Sequence, residues 1–314
     1  MKGKKLHTIH SNHQHMSWCN SRTPAQVVAP GDEVQFEVID AVCGQLSPES
    51  TVEDVENLDF DLVNPISGPI YVDGAEPGDS LKVTILGFEP SGWGWTAIIP
   101  GFGLLADDFA NPSLNIWKYE LGFETPCVFN SHARVPLKPF CGTIGVAHAE
   151  AGEFSTIPPY ATGGNMDIRD INIGTDLYIP VEVPGALFSI GDPHCAQGDG
   201  EVCGTAIESP MGVTVRLDLV KGENLRFPRY VTPGPVSRHH DELGYEVTTG
   251  IGPDLMEASQ NAVRGMIDRL MKLHKLDAAQ AYMLCSVTGD LRISEIVDRP
   301  NWVVSFYMPN KIFQ

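Results

Sequence analysis

Between Gly163 and Glu208 the chain reads GGNMDIRDINIGTDLYIPVEVPGALFSIGDPHCAQGDGEVCGTAIE, its densest collection of groups able to hold a cation or move a proton. Asp192 and His194 stand two apart. If the strand over Gly185–Ile190 continues through them, both side chains leave the same face. A carboxylate and a neutral imidazole together suit zinc. Asp199-Gly200 is a two-residue hairpin signal, and a hairpin there folds Glu201 back toward Asp192 and His194 as ligand or general base. Asp167 follows two glycines and Asn165, which allow a tight turn or a close backbone approach. Gly191, Gly198, Gly200 and Gly204 leave room for a small substrate and offer N–H groups to an oxyanion. Spacing alone leaves the plainer reading open, a hydrogen-bonded loop histidine beside an ordinary Asp-Gly turn.

Other residues invite chemistry less directly. Cys203 is a candidate nucleophile, set against a buried, inert cysteine in an apolar strand with Val202, Ala206 and Ile207. His7, His10, His13 and His15 have ligand-like spacing, yet their terminal, polar segment points to surface exposure. In Ser91–Leu105 (SGWGWTAIIPGFGLL), Trp93, Trp95 and Phe102 either wall a pocket or pack the core. The acidic run Glu49–Asp61 reads as a solvated segment, with cation binding as the alternative.

The elements that must position these groups are mainly strands over the first 250 residues. Val34–Ile39, Leu81–Leu86, Leu177–Val183, Gly185–Ile190 and Val213–Val220 follow strand patterns. Pro30-Gly31-Asp32 and Pro77-Gly78-Asp79 are turn signals just ahead of strands. Beyond Gly252, Leu255, Ala258, Ala262, Met266, Ile267, Leu270 and Leu273 recur at helical spacing. A second helix is predicted over Ala278–Val287 and a returning strand over Trp302–Tyr307. The expected fold is a mainly β sandwich over 1–250, with an α+β portion over 251–314 packed on it.

The 314 residues carry a net charge of −19, which disfavours nucleic acid, anionic lipid and anionic substrates. A neutral small molecule fits better. Seven cysteines without a C-x-x-C pair suggest a reducing, cytoplasmic setting. No signal-like h-region or apolar run long enough for a membrane span is present.

Longer phrases carry a resemblance: GPIYVDGAEPGD (Gly68–Asp79), GWTAIIPGFGLL (Gly94–Leu105), FSTIPPYATGGNMD (Phe154–Asp167), PVEVPGALFSIGDPHCAQGDGEVCGTAIE (Pro180–Glu208), GIGPDLMEAS (Gly250–Ser259) and AYMLCSVTGDLRISEIVD (Ala281–Asp298). In order and over almost the whole chain, these resemble the acetamidase/formamidase family. The resemblance implies hydrolysis of a linear amide to ammonia and a short carboxylate. It also implies a jelly-roll sandwich, a homodimer or larger oligomer, and zinc or calcium in the site. Its positions here are Asp167, Asp192, His194 and Glu201. His148 departs from the pattern, standing in GVAHAE where the family usually has proline; we expect it to replace a loop residue.

The expected mechanism is attack by metal-activated water. Asp192, His194 and Asp167 are the ligands, with Glu201 as a further ligand or the acid/base, and Trp95, Phe102 and Gly200 are the expected substrate contacts. Two alternatives remain at this stage. One is an amidase with Cys203 as nucleophile; the other is a non-catalytic sandwich module that stacks a carbohydrate or partner on Trp93 and Trp95.

Overall fold

The computed structural model describes residues 5–234, 236 and 241–314, so the first four residues of the lysine-bearing N-terminus lie outside it. Strand outweighs helix, 38% to 16%, and the chain is mainly β. Alternation builds the first sheet. In Glu33–Val38, Val34, Phe36 and Val38 are buried. In Met211–Val220, Met211, Val213, Val215 and Leu217 are buried. Six strands hydrogen-bond in the order Leu6–Ile9, Glu33–Val38, Met211–Val220, Ser80–Pro90, Asp176–Pro180 and Arg229–Val231. The second sheet runs Pro159–Tyr160, Gly163–Asn165, Phe140–Gly145, Phe188–His194, Ile66–Val72 and Gln14–His15, with Gln26–Val28 parallel to Ile66–Val72. Its central strands are buried on both faces and so show little alternation. One core joins the sheets, and Phe36 of the first meets Phe188 of the second with ring centroids 6.0 Å apart.

The C-terminal portion follows its helical periodicity. Asp254 caps Leu255–His274 by accepting from Glu257 N at 2.9 Å, and Ala258, Ala262, Val263, Met266, Ile267 and Leu270 are buried. Asp277 and Gln280 form a reciprocal capping box on Ala278–Thr288. These helices accompany a sheet ordered Tyr245–Gly252, Trp302–Pro309, Asp290–Glu295. The expected division after residue 250 falls inside the Tyr245–Gly252 strand.

Three local expectations need correction. The strand expected from Gly185 begins at Phe188, because Gly185, Ala186 and Leu187 turn through positive φ. No two-residue hairpin forms at Asp199-Gly200, and Cys203 is not in a strand. Instead a wider return leaves the Phe188–His194 strand, runs through turns, and comes back so that Glu208 bridges His194. Cys195 N donates to Ile207 O at 2.8 Å, and Ser209 N to Pro193 O at 2.9 Å. Trp93–Ile98 is also a strand, paired with Ser113–Lys118.

Candidate metal centre and catalytic cavity

The Phe188–His194 strand does run through Asp192 and His194, and both side chains turn into one space. Asp192 Oδ1 lies 3.1 Å from His194 Nε2. Opposite this strand runs Phe140–Gly145. Phe140 faces His194 edge-on at 5.0 Å and fixes the imidazole plane. Gly142 sits between Cys141 and Thr143, whose partners are Pro193 and Gly191, and so faces Asp192. A Cβ there would come within 2.3 Å of Asp167 Oδ1 and 2.6 Å of Asp192 Oδ2. The missing side chain is the room into which the carboxylates fit.

Asp167 arrives from the Gly163–Asn165 strand, where Gly163 and Gly164 have φ of 93° and 96°. The backbone N–H groups of Met166 and Asp167 both donate to Gly142 O, at 3.0 and 3.2 Å. Glu201 stands on the return between His194 and Glu208. Three of these acidic residues occupy left-handed backbone, with φ of 51° at Asp167, 55° at Asp192 and 43° at Glu201. Each such residue is strained by roughly 1–2 kcal/mol, and the surrounding bonds must hold it there.

Glu208 completes the cluster and was not singled out from sequence. It is 2% exposed, and its Oε2 lies 3.0 Å from His194 Nε2. Its Oε1 accepts from Ala206 N at 2.7 Å. Trp95 and Glu208 exchange backbone hydrogen bonds at 2.8 Å in both directions. The available signal was a lone carboxylate ending the apolar run Val202–Ile207.

Two overlapping ligand groups share the imidazole: Asp167, His194 and Glu201; and Asp192, His194 and Glu208. Within each, the ligand atoms lie within 4.8 Å of one another. Asp167 Oδ1, Asp192 Oδ1, His194 Nε2 and Glu208 Oε2 are all buried without a hydrogen-bond partner. His194 Nε2 is therefore near two carboxylates but not aligned to donate to either. Such orphaned atoms cost free energy unless something else pairs them. An imidazole nitrogen with several carboxylate oxygens fits a divalent cation, so the residues present suit the expected metal.

Crowding acidic groups out of water raises their proton affinity. Burial, then Asp192, pushes Asp167 up to about 7 against the pull of His194. Burial, then Asp167, holds Glu201 well above the usual carboxylate range. Burial takes Glu208 up to about 7 despite His194. Burial opposes charge on His194 too, but Asp192 and Glu208 outweigh it and raise the imidazole well above its ordinary value.

The cluster floors a cavity of about 80 Å³. Asp192, Glu201 and Glu208 reach it, Val42, Val63 and Ile99 give it apolar walls, and Asn64, Asn165 and Thr205 add polar edges. A hollow of about 470 Å³ between Ser11 and Gly212 is larger but holds none of these residues. Trp95 lines the catalytic cavity at 1% exposure, its Nε1 donating to Asp40 Oδ2 at 2.9 Å. Phe102, 43% exposed, packs over Gly204 at the outer wall.

Several expected contacts lie elsewhere. Gly200 packs on Leu291 instead of lining the cavity. The N–H groups of Gly198 and Gly204 donate to Ser286 O and Glu201 O, so they do not face an oxyanion. Cys203 is fully buried, its thiol against Ala97 O and Thr205 O and its pKa raised by burial, so the geometry gives a Cys203 nucleophile no support. Burial of Trp95 also removes the flat stacking face of a carbohydrate-binding module. His148 bonds Thr162 and packs between Phe154 and Tyr160, away from the cluster. His7 and His10 pair with Asp32 and Glu37, while His15 bonds Ser17 and Ser189. The acidic run forms the short helix Val52–Glu56 and a following turn whose Phe60 and Val63 reach the cavity.

The Acetamidase/Formamidase family model matches residues 3–153 and 147–314. The chain belongs to that family. It is 26% identical to a formamidase of Methylophilus methylotrophus, over 96% of this chain and 89% of that protein. An acetamidase structure from Bacillus halodurans is 30% identical, with 96% of each chain covered and a TM-score of 0.69. A γ-lactamase from Delftia acidovorans is 26% identical, over 96% of this chain and 90% of that one, with a TM-score of 0.89. The protein is accordingly an amidohydrolase acting on C–N bonds other than peptide bonds. Among the described residues no helix is long and apolar enough to cross a membrane.

Proposed function

We propose that this family member hydrolyses short aliphatic amides of the formamide and acetamide class, using a divalent cation, with zinc first and calcium second. The observation that carries the proposal is the set of orphaned ligand atoms on Asp167, Asp192, His194 and Glu208, of which Asp192 and Glu208 line a cavity of about 80 Å³. That space suits a molecule of a few heavy atoms and is far below the usual drug-sized pocket of about 300–1,000 Å³. Asp192, His194, Glu208 and Asp167 would hold the cation. When bound, it would polarise the amide carbonyl and lower the pKa of water to about 7. Glu201 takes a proton from the attacking water and delivers it to the departing nitrogen. Its carboxylate lines the cavity, and its raised proton affinity suits that shuttle. The apolar walls limit bulk water around the substrate.

The test is ammonia release from formamide, acetamide and propionamide before and after chelation. Activity should vanish with chelator and return with zinc. Glu201→Gln should keep its metal content while turnover falls by about 10²–10⁴-fold. Full turnover in that variant removes Glu201 from the shuttle, and chelator-insensitive turnover removes the cation.

The TM-score of 0.89 to the γ-lactamase supports a second reading, hydrolysis of a cyclic amide. Ring opening releases no ammonia, so product analysis on a γ-lactam separates the two. The proposal includes a homodimer or larger assembly and a cytoplasmic setting, the latter supported by seven unpaired cysteines.

A further inference from the structure

We infer that Gln197 is a positioning residue that sets the tautomer of His194, so that the imidazole presents Nε2 as a bare lone pair to a cation. The inference rests on the metal reading above. Gln197 is 1% exposed, on the return just beyond His194. Its Nε2 donates to the backbone oxygen of Asp167 at 2.9 Å. A peptide oxygen only accepts, so this bond fixes which way round the amide stands. Gln197 Oε1 then faces His194 Nδ1 at 3.0 Å, and Nδ1 must carry the hydrogen. An imidazole that ligates a cation is neutral and has one N–H, so with that hydrogen on Nδ1 it is Nε2 that presents its lone pair to the metal.

That lone pair faces Asp192 Oδ1 at 3.1 Å and Glu208 Oε2 at 3.0 Å. The two carboxylates that favour a proton on Nε2 favour equally a cation in its place, and binding the cation releases that proton. The same amide ties the backbone of Asp167 to the ring of His194, so one side chain registers two proposed ligands. Gln is suited to both tasks: Glu would keep an acceptor for Nδ1 but lose the donor to Asp167, and Met would lose both.

The test uses the full-length protein, stripped of metal and titrated with Zn²⁺ alone in competition with a chromophoric chelator. Gln197→Met should weaken Zn²⁺ binding by about 10–100-fold, the usual effect of removing a hydrogen-bond partner behind a ligand. Gln197→Glu, which still accepts from Nδ1, should bind Zn²⁺ much closer to wild type. A purely mechanical tie to Asp167 predicts equal losses in both variants. Equal losses, or full affinity in Gln197→Met, would overturn the inference while leaving the cation reading standing. A wild-type protein that takes up no divalent cation overturns both. Should Gln197→Met fail to fold, ¹⁵N NMR of zinc-loaded, histidine-labelled wild type still decides. The Nδ1–H tautomer of His194 is expected, and the Nε2–H tautomer would overturn the inference.

Discussion

Gly142 shows how an absent side chain can shape a site. Its neighbours Cys141 and Thr143 carry side chains, yet at this one position a methyl group would strike the carboxylates of Asp167 and Asp192. Gly142→Ala should leave the fold intact, because only side-chain ends are displaced. It should empty the site of metal and, as chelation does, abolish ammonia release. Elemental analysis beside the activity assay checks this, and full metal content with full turnover would refute it. At this scale the sequence was partly legible. Asp192 and His194 stood out because strand parity is local, and Asp167 because two glycines announce a close approach. Glu208 did not, because its role comes from a backbone bridge to His194 that closes only in three dimensions. Gln197 was equally silent, since an amide has no charge to attract notice and its partners lie on two different segments.

The two Pro-Gly-Asp phrases fold the same way. Gly31 and Gly78 both have φ of 92°, and each aspartate accepts from the backbone N–H three residues earlier, Ala29 for Asp32 and Glu76 for Asp79. Asp79 is 4% exposed and also accepts from Lys221 and Gly222. Burial alone would raise its pKa, but the bonds from Lys221, Gly222 and Glu76 outweigh that and lower it. A depressed carboxylate stabilises the fold above its unfolded pKa, about 3.9, and loses that contribution as pH falls through the folded value. Asp79→Ala should therefore cost about 2–3 kcal/mol at pH 7. The gap to wild type should narrow steadily below about pH 4. Urea melts at both pH values test this, and a gap that widens in acid would contradict it. Alternating strands and capped helices were readable because their periods are local. The return between His194 and Glu208 was not. Its path is set by distant bonds: Gly198 N to Ser286 O, Cys203 N to Ser286 Oγ, and Tyr282 Oη to Val202 O.

Those bonds make the C-terminal portion a structural part of the site. Arg169 joins Asp290 at 2.5 and 3.0 Å, and its Nε lies 3.2 Å from Asp199. Leu291 N donates to Asp199 O at 3.0 Å. The end of the Ala278–Thr288 helix and the strand after it thus hold the segment that carries Glu201. Asp290→Ala would leave the Arg169 guanidinium buried with the half-exposed Asp199 and the backbone oxygen of Gln197 opposite. Breaking such a pair costs about 3–5 kcal/mol, and calorimetry should show a melting point lower by several degrees. An unchanged melting point would mean that these two partners suffice. The left-handed backbone at Asp167, Asp192 and Glu201 has a longer reach. Glycine would relax any of the three while deleting a carboxylate. This chain thus stores backbone strain at the three places where it presents a carboxylate, a cost that durability alone would not ask for.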